Sequence, residues 1–415
     1  MASQQTFERM DDFVQRTRAA LFVRREDQLL MIRPDKTMSL NGSATDILAA
    51  LYERGGGPAA EVLSGLSPRL GVGLDRLVDD TEQLLGAVGA ILNEDFSPRP
   101  GLRFGSYRQD VVAYPTLAEI ALTYGCQNRC QFCYASSPRR GEGQRTMTTA
   151  EVERVMERIF HEGHVPSLSF TGGESTLRPD LPELIRYGEG LGLRMNLITN
   201  GIRAAEPGYA EVLVEAGLAS AQVSLEAAEP ALHDEIVARE GAHEATVAGV
   251  ARFRSLGIHV HTNTTLCAKN LAHSPEIVRF VSRELGLETL SMNMVIRTGE
   301  ALDEERIGVG YSEVARRLPE LIETAEAEGV KLVWYSPIPY CLWNPVVHGL
   351  GAKSCACVGG ILSVDPTGQV LPCSSFESGL GSLLDKPFER IYRSRRARYG
   401  RHKEYVPPVG ESCPD

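Results

Sequence analysis

Apolar positions follow two periods along the chain, and the chain divides where one gives way to the other. Through residues 15 to 92, RAALFVRRE and QLLMIRP alternate as two short strands around a polar turn. TMSLNGSATDILAALYERG then runs from a strand edge into an amphipathic helix, with Ser43 or Thr45 expected as its N-cap. GPAAEVLSGLSPRLGV predicts a second helix, and LDRLVDDTEQLLGAVGAIL a third with Leu74, Leu77, Val78, Leu85 and Val88 on one face. This order predicts a small winged helix-turn-helix domain. NEDFSPRPGLRFGSYRQDVVAYPT follows, broken by Pro98, Pro100, Gly101, Gly105 and Pro115, and reads as an interdomain linker.

From about 116 to 336, the β-rich runs EIALTY, SLSFTG, RMNLITN, SAQVSLE, HVHTNTTL, TLSMNMVI and KLVWYS alternate with amphipathic stretches such as TAEVERVMERIFHEG, TVAGVARFRSLG and SPEIVRFVSRELG. Strand and helix in regular alternation predict an α/β fold with a parallel sheet wrapped by helices, and this many units a partial (β/α) TIM-like barrel. Such a barrel gathers chemistry at the C-terminal ends of its strands. There stand Cys126 after the first strand, Gly172-Gly173-Glu174 after the second, Thr199-Asn200-Gly201 after the third, and Ser224 with Glu226 at the fourth. The last segment is rich in Gly and Pro, carries Cys341, Cys355, Cys357, Cys373 and Cys413, and contains a hairpin, ILSVDPTGQVLPC, turning at Asp365-Pro366-Thr367-Gly368.

Composition narrows the function classes. No apolar run approaches the ~18 residues a membrane span requires, and MASQQTFERMDDF lacks the basic flank and apolar stretch of a secretory signal. A cytoplasmic protein is expected, its nine cysteines acting as ligands or free thiols rather than disulfides. A net charge of -11 argues against nucleic-acid binding, and LDRLVDDTEQ sets Asp75, Asp79, Asp80 and Glu82 against Arg76, which repels phosphate.

The sharpest chemical signal is TYGCQNRCQFCYA, with Cys126, Cys130 and Cys133 on one loop. Three thiolates can hold three corners of a 4Fe-4S cube and leave one iron open; the alternative is a zinc site completed by a distant His or Cys. The triad, with aromatic Phe132 before its last cysteine, resembles the signature of the radical S-adenosylmethionine (SAM) superfamily. The resemblance implies that SAM chelates the open iron and that its reductive cleavage yields a 5'-deoxyadenosyl radical that abstracts substrate hydrogen. It further implies a cofactor-binding set of Phe132, Gly172, Gly173, Glu174, Ser224 and Arg239. Gly172-Gly173-Glu174 matches the family's GGE motif, whose glycines admit the ligand closely and whose carboxylate pairs with the SAM amine. Ser224 and Arg239 match positions near the ribose and the carboxylate. Tyr134, His164 and Glu226 are liners of equal standing for acid-base work.

The spacing of Cys357, Gly368 and Cys373 resembles the first half of the SPASM extension found in radical SAM enzymes that modify peptides. It implies an auxiliary iron-sulfur cluster held among Cys341, Cys355, Cys357, Cys373 and Cys413, with zinc as the alternative. The sequence ends two residues after Cys413, before the next cysteine of that pattern, so the extension is abbreviated or the natural chain runs further. VRREDQLLMIRPDKTMSLNGSATDILAALYERG with LDRLVDDTEQLLGAVGAI resembles the recognition element of enzymes that mature ribosomally made, post-translationally modified peptides (RiPPs). That implies a leader peptide adding as a strand along Thr37, Met38, Ser39 and Leu40, beside the helix over 74–85.

The expected domains are a RiPP recognition element at 1–95, a linker at 96–115, a radical SAM partial barrel at 116–336 and a SPASM/twitch-like auxiliary-cluster region at 337–415. The leading expectation is a radical SAM maturase that binds a precursor peptide and forms an intrapeptide crosslink or another oxidative modification. Its electron donor would be a flavodoxin or ferredoxin. The alternatives are a radical SAM dehydrogenase or sulfatase-maturing type of enzyme acting on a protein or small metabolite, and a non-catalytic zinc-organised binding protein.

Overall fold

The computed structural model describes residues 3–402 except 34–35, 54–55, 94, 96–101, 104–111, 142, 144, 305, 352 and 354. Cys413 and most of the stretch read as a linker lie outside the described residues. The chain divides into two compact units, Met1–Tyr114 and Pro115–Asp415.

The first unit runs α1 Gln4–Thr17, β1 Leu21–Arg24, β2 Leu29–Ile32, β3 Lys36–Leu40, α2 Gly42–Leu51, α3 Ala59–Leu70 and α4 Leu74–Leu92. The strands are antiparallel, and their apolar face closes with the helices over a core including Leu30, Leu48, Leu63, Val88 and Ile91. α2 is capped by Asn41 rather than by Ser43 or Thr45: Asn41 Oδ1 accepts from Ala44 N at 2.8 Å, while Thr45 Oγ1 turns back to the Asn41 carbonyl. α1 was not expected from the pattern, because its buried face is only the narrow stripe Thr6, Met10 and Val14. Arg24 is buried, with its guanidinium on Asp27 at 2.8–2.9 Å, and Asp27 also accepts from Ala113 N.

A fourth strand, β4 Leu102–Arg103, comes from the stretch read as a linker and pairs antiparallel with β3, Ser39 opposite Arg103 and Leu40 opposite Leu102. Half of the edge expected to accept a peptide is therefore paired within the chain.

In the second unit seven strands lie parallel and in sequence order: β5 Leu117–Thr123, β6 Ser167–Gly172, β7 Arg194–Thr199, β8 Leu218–Ser224, β9 His259–Leu266, β10 Thr289–Met294 and β11 Lys331–Trp334. On the far side of β5, the hairpin β12 Ile361–Val364 and β13 Gln369–Leu371, then β14 Gly381–Ser382, extend the same sheet. The hairpin turns as expected, with Asp365 Oδ1 accepting from Thr367 N and Gln369 N, and Gly368 at φ +86°.

β7 and β9 bury alternate residues, whereas β6 buries Leu168 to Thr171 in succession. One face is apolar and sealed, with Ile120, Phe170, Leu197 and Val223 at 0% exposure. The other carries Ser363, Glu119, Ser169, Asn196 and Ser220 in register across β12 and β5 to β8, then Gln222 opposite His261 and Asn263 opposite Ser291. These polar groups bond one another, as in Asn196 Nδ2 to Ser169 Oγ at 2.8 Å and Asn263 Nδ2 to Asn293 Oδ1 at 2.9 Å. The polar face is concave. Cys133 O, beyond β5, accepts from Glu300 N, beyond β10, at 3.0 Å, whereas five strand spacings in a flat sheet span about 24 Å. A closed TIM barrel fills this interior with branched apolar side chains. Here the interior is polar and half-buried.

Candidate functional site

The loop after β5 is held from two sides. Arg129 N and Gln131 N donate to Val237 O and Ile236 O at the end of the helix Pro230–Val237, and Glu300 N donates to Cys133 O. Phe132, expected beside a cofactor, packs into an apolar cluster with Ile236, Cys267, Val295, Ala301 and Ile307, which anchors the loop. The three cysteines are half-buried, and two of the sulfurs receive polar groups. Asn128 N lies 3.4 Å and Asn200 Nδ2 3.9 Å from Cys126 Sγ, and Ser137 N lies 3.5 Å from Cys133 Sγ. Burial pushes Cys126 up to about 12 and Cys130 well above its ordinary value, with the charges of the neighbouring cysteines adding to both. Thiolates in this loop are disfavoured by burial and need a cationic centre to form. Among the described residues no three His, Cys, Asp or Glu side chains converge on a single metal ion. A cubane distributes its thiolates over separate irons.

The corner after β6 shows why two glycines stand there. Gly172 adopts φ +132°, and a Cβ on Gly173 would lie 2.3 Å from Gly125 O and 2.5 Å from Tyr124 O. What approaches the glycines is the chain itself: Gly173 N donates to Thr123 O and Glu174 N to Gly125 O. Glu174, expected to offer its carboxylate to a ligand amine, is 1% exposed and receives four donors, Thr176 N, Thr176 Oγ1, Thr199 Oγ1 and Asn200 N. It braces the ends of β6 and β7, and through Asn200 it supports Cys126. Burial raises its pKa and these hydrogen bonds oppose the rise.

Ser224 ends β8 on the concave face. Arg239 is exposed, donates to Gln127 O within the cysteine loop at 3.3 Å, and follows Ala238 in the left-handed region. Asp234, which the sequence did not single out, accepts from Gly241 N and His243 N and so fixes the turn bearing Arg239. Glu226 is buried, accepts from Thr265 N at 2.8 Å and is pushed by burial up to about 8. Tyr134 lies under the loop, its phenol raised by burial and bonded to Thr171. His164, weighed equally with these, precedes β6 and so stands at the opposite end of the strands. Glu119 was missed. Its signal was an isolated acidic residue at an inward position of EIALTY.

The hairpin brings two late cysteines together: Cys357 Sγ donates to Pro372 O at 2.9 Å, next to Cys373. Cys341 is exposed and Cys355 half-buried.

Residues 120–281 match the model of the radical SAM superfamily. The PqqA peptide cyclase of Rhodopseudomonas palustris is 30% identical over 296 residues, 68% of this chain and 74% of that protein. The chain belongs to the radical SAM superfamily. An AdoMet-dependent heme synthase of Oleidesulfovibrio alaskensis is 28% identical over 289 residues, 66% of this chain and 73% of its own. In fold, the radical SAM chain resembles Streptococcus suis SuiB solved with the precursor peptide SuiA, with a TM-score of 0.66 at 14% identity over 91% of this chain and 88% of that one. Radical SAM enzymes carry a 4Fe-4S cluster and bind SAM, and the buried, N–H-lined cysteine loop fits such a group.

Proposed function

We propose that this radical SAM enzyme is a maturase that modifies a ribosomally made precursor peptide. The observation that carries the reading is the reach of the likeness to SuiB: a match over 91% of this chain extends well into the first unit, since the second spans only 115–415. The first unit then acts as a winged RiPP recognition element. The edge of β3 at Thr37 and Met38, continuing to Ser39 and Leu40 where β4 yields, receives the leader by strand addition. The domain limits of this reading are those expected from the sequence, except that Leu102–Arg103, paired with β3, is assigned to the recognition unit.

In the second unit Cys126, Cys130 and Cys133 would hold the 4Fe-4S cluster, leaving one iron for SAM. The backbone at Gly172 and Gly173, braced by Glu174, would frame it, Ser224 and Arg239 would serve its ribose and carboxylate, and Phe132 anchors the loop. The bound cofactors supply hydrogen-atom abstraction from an unactivated C–H bond. Cys357 and Cys373, with Cys341, Cys355 and Cys413, form a SPASM-like site for an auxiliary cluster. The product is an intrapeptide crosslink or another oxidised residue. A low-potential flavodoxin or ferredoxin supplies the electron, and the setting is cytoplasmic; among the described residues no helix is long and apolar enough to cross a membrane.

The heme synthase relatives favour a second reading, a small-molecule substrate. One experiment separates the two. The full chain is reconstituted anaerobically with iron and sulfide and offered, with SAM and reductant, each short peptide encoded beside its gene, or a porphyrin precursor. About eight irons per chain and peptide-dependent deoxyadenosine support the maturase. Turnover with the porphyrin alone refutes it.

A further inference from the structure

The concave face holds one carboxylate that the functions assigned above do not use. Glu119 is half-buried at an inward position of β5, between Ser169 on β6 and Ser363 on β12. Ser374 Oγ donates to its Oε2 at 2.9 Å and lies 3.1 Å from Ser363 Oγ, so the carboxyl is held in orientation from the C-terminal hairpin. Its Oε1 has no hydrogen-bond partner among the described residues and is not one of the enclosed unpartnered atoms. Among the described residues no cation faces the group. The titratable groups near it are Tyr134, directly after the first cysteine loop, and Cys373 beside Ser374; β6 and β12 present only hydroxyls. Burial raises its pKa and the Ser374 bond opposes the rise. A carboxyl aimed into a polar interior, pinned by one oxygen and lacking a counter-ion, has the form of a base rather than of an ion-pair partner.

We propose that Glu119 is the proton acceptor of the substrate reaction, taking the proton released when the substrate radical forms its new bond. This rests on the radical SAM maturase reading. Hydrogen-atom abstraction removes one H from carbon. As that carbon bonds to an O–H, N–H, S–H or aryl carbon of the peptide, the X–H bond breaks and its proton passes to Glu119 Oε1. The remaining electron passes to an oxidised iron-sulfur cluster, the class of oxidant the step requires. Glu119 then releases the proton to water. Ser374 is a positioning residue.

Two measurements test this on the full reconstituted chain. The first needs no substrate. Infrared difference spectra across a pH titration, wild type against Glu119→Gln, should show a carboxyl band assigned to Glu119 that persists above the ordinary carboxylate range and moves to still higher pH in Ser374→Ala. A Glu119 band titrating in the ordinary range overturns the proposal, whatever the substrate proves to be. The second uses the peptide that supports deoxyadenosine formation. Glu119→Gln should lower the ratio of modified peptide to deoxyadenosine at least tenfold, with KM for the peptide changed less than threefold. The acid limb of the wild-type rate profile should move upward in Ser374→Ala. A raised KM with an unchanged product ratio makes Glu119 a recognition group and overturns the assignment. Absence of any peptide-dependent turnover refutes the maturase reading instead, and the infrared titration still decides the state of Glu119.

Discussion

Glu174 sits where the ends of two strands are tied to the cysteine loop, and replacing it by alanine should unsettle all three. Four donors converge on its carboxylate, and two of them, Thr176 N and Asn200 N, are backbone groups that cannot turn away. Each backbone N–H left buried without an acceptor costs about 1–3 kcal/mol. The two hydroxyls rotate, and Thr199 Oγ1 keeps its bond from Gly201 N at 3.0 Å, so they add little. Glu174→Ala should therefore lose roughly 4 kcal/mol, which in a unit of this size lowers the melting temperature by about 10 °C. Glu174→Gln keeps an oxygen for the three donors at Oε1 and abandons only Asn200 N, while a neutral amide avoids burying a charge. Its loss should be roughly 1 kcal/mol. Calorimetry of the cluster-free chain measures both, and iron retained after reconstitution should fall in the same order, because Asn200 also touches Cys126. An alanine variant melting within about 2 °C of wild type, or a glutamine variant as unstable as alanine, would refute the bracing role.

Other sites give equally direct expectations. Gly173→Ala forces a Cβ against the carbonyls of Gly125 and Tyr124, so the backbone must part and two buried hydrogen bonds weaken; roughly 2–3 kcal/mol should be lost in urea unfolding, together with iron-binding capacity. In the first unit, Asp27→Ala removes the carboxylate paired with the buried Arg24 guanidinium and the acceptor of Ala113 N, and should cost about 3–5 kcal/mol, read as a lower urea midpoint for that unit. Glu226, raised to about 8, makes the cluster-free wild type lose stability as pH rises from the ordinary carboxylate range through 8, since the unfolded chain ionises it more easily. Glu226→Gln retains an acceptor for Thr265 N and should flatten that slope; an unchanged slope between pH 5 and 8.5 would assign the effect elsewhere.

The seven parallel strands were legible because they are short β-rich runs regularly spaced between amphipathic helical stretches, and most keep a buried, mainly apolar residue at every second position. The cysteine loop was legible because its chemistry is local, three thiols within eight residues. What escaped depends on partners far along the chain. Leu102–Arg103 becomes a strand only because Ser39 and Leu40 offer an edge, and nothing in its own residues announces that. That Glu174 also accepts from Thr199 and Asn200, some twenty-five residues later, could not be read from its own triplet. The carbonyl that excludes a Cβ at the second glycine stands forty-eight positions earlier. α1 hid because three buried side chains do not make an apolar period.

The inverted polarity of the parallel sheet bears on Glu119. Stability in this unit comes from the convex face under the helices, where the apolar side chains are sealed, so the concave face is free to carry groups chosen for another reason. Among the described residues the carboxyl there has no cation to offset its burial, and one hydroxyl is a weak substitute. Were Glu119 structural, glutamine would serve better: it fills the same volume, accepts from Ser374 and buries no charge. Glu119→Gln should thus melt at or above wild type. Because burial raises the carboxyl's folded-state pKa, the wild type loses stability as pH rises beyond the ordinary carboxylate range and the variant does not. The difference in melting temperature should widen in favour of the variant between pH 5 and pH 8.5. A variant less stable than wild type at every pH would mean that the carboxylate holds the barrel together. A variant more stable yet poor in product would mean that stability was given up at this position for chemistry.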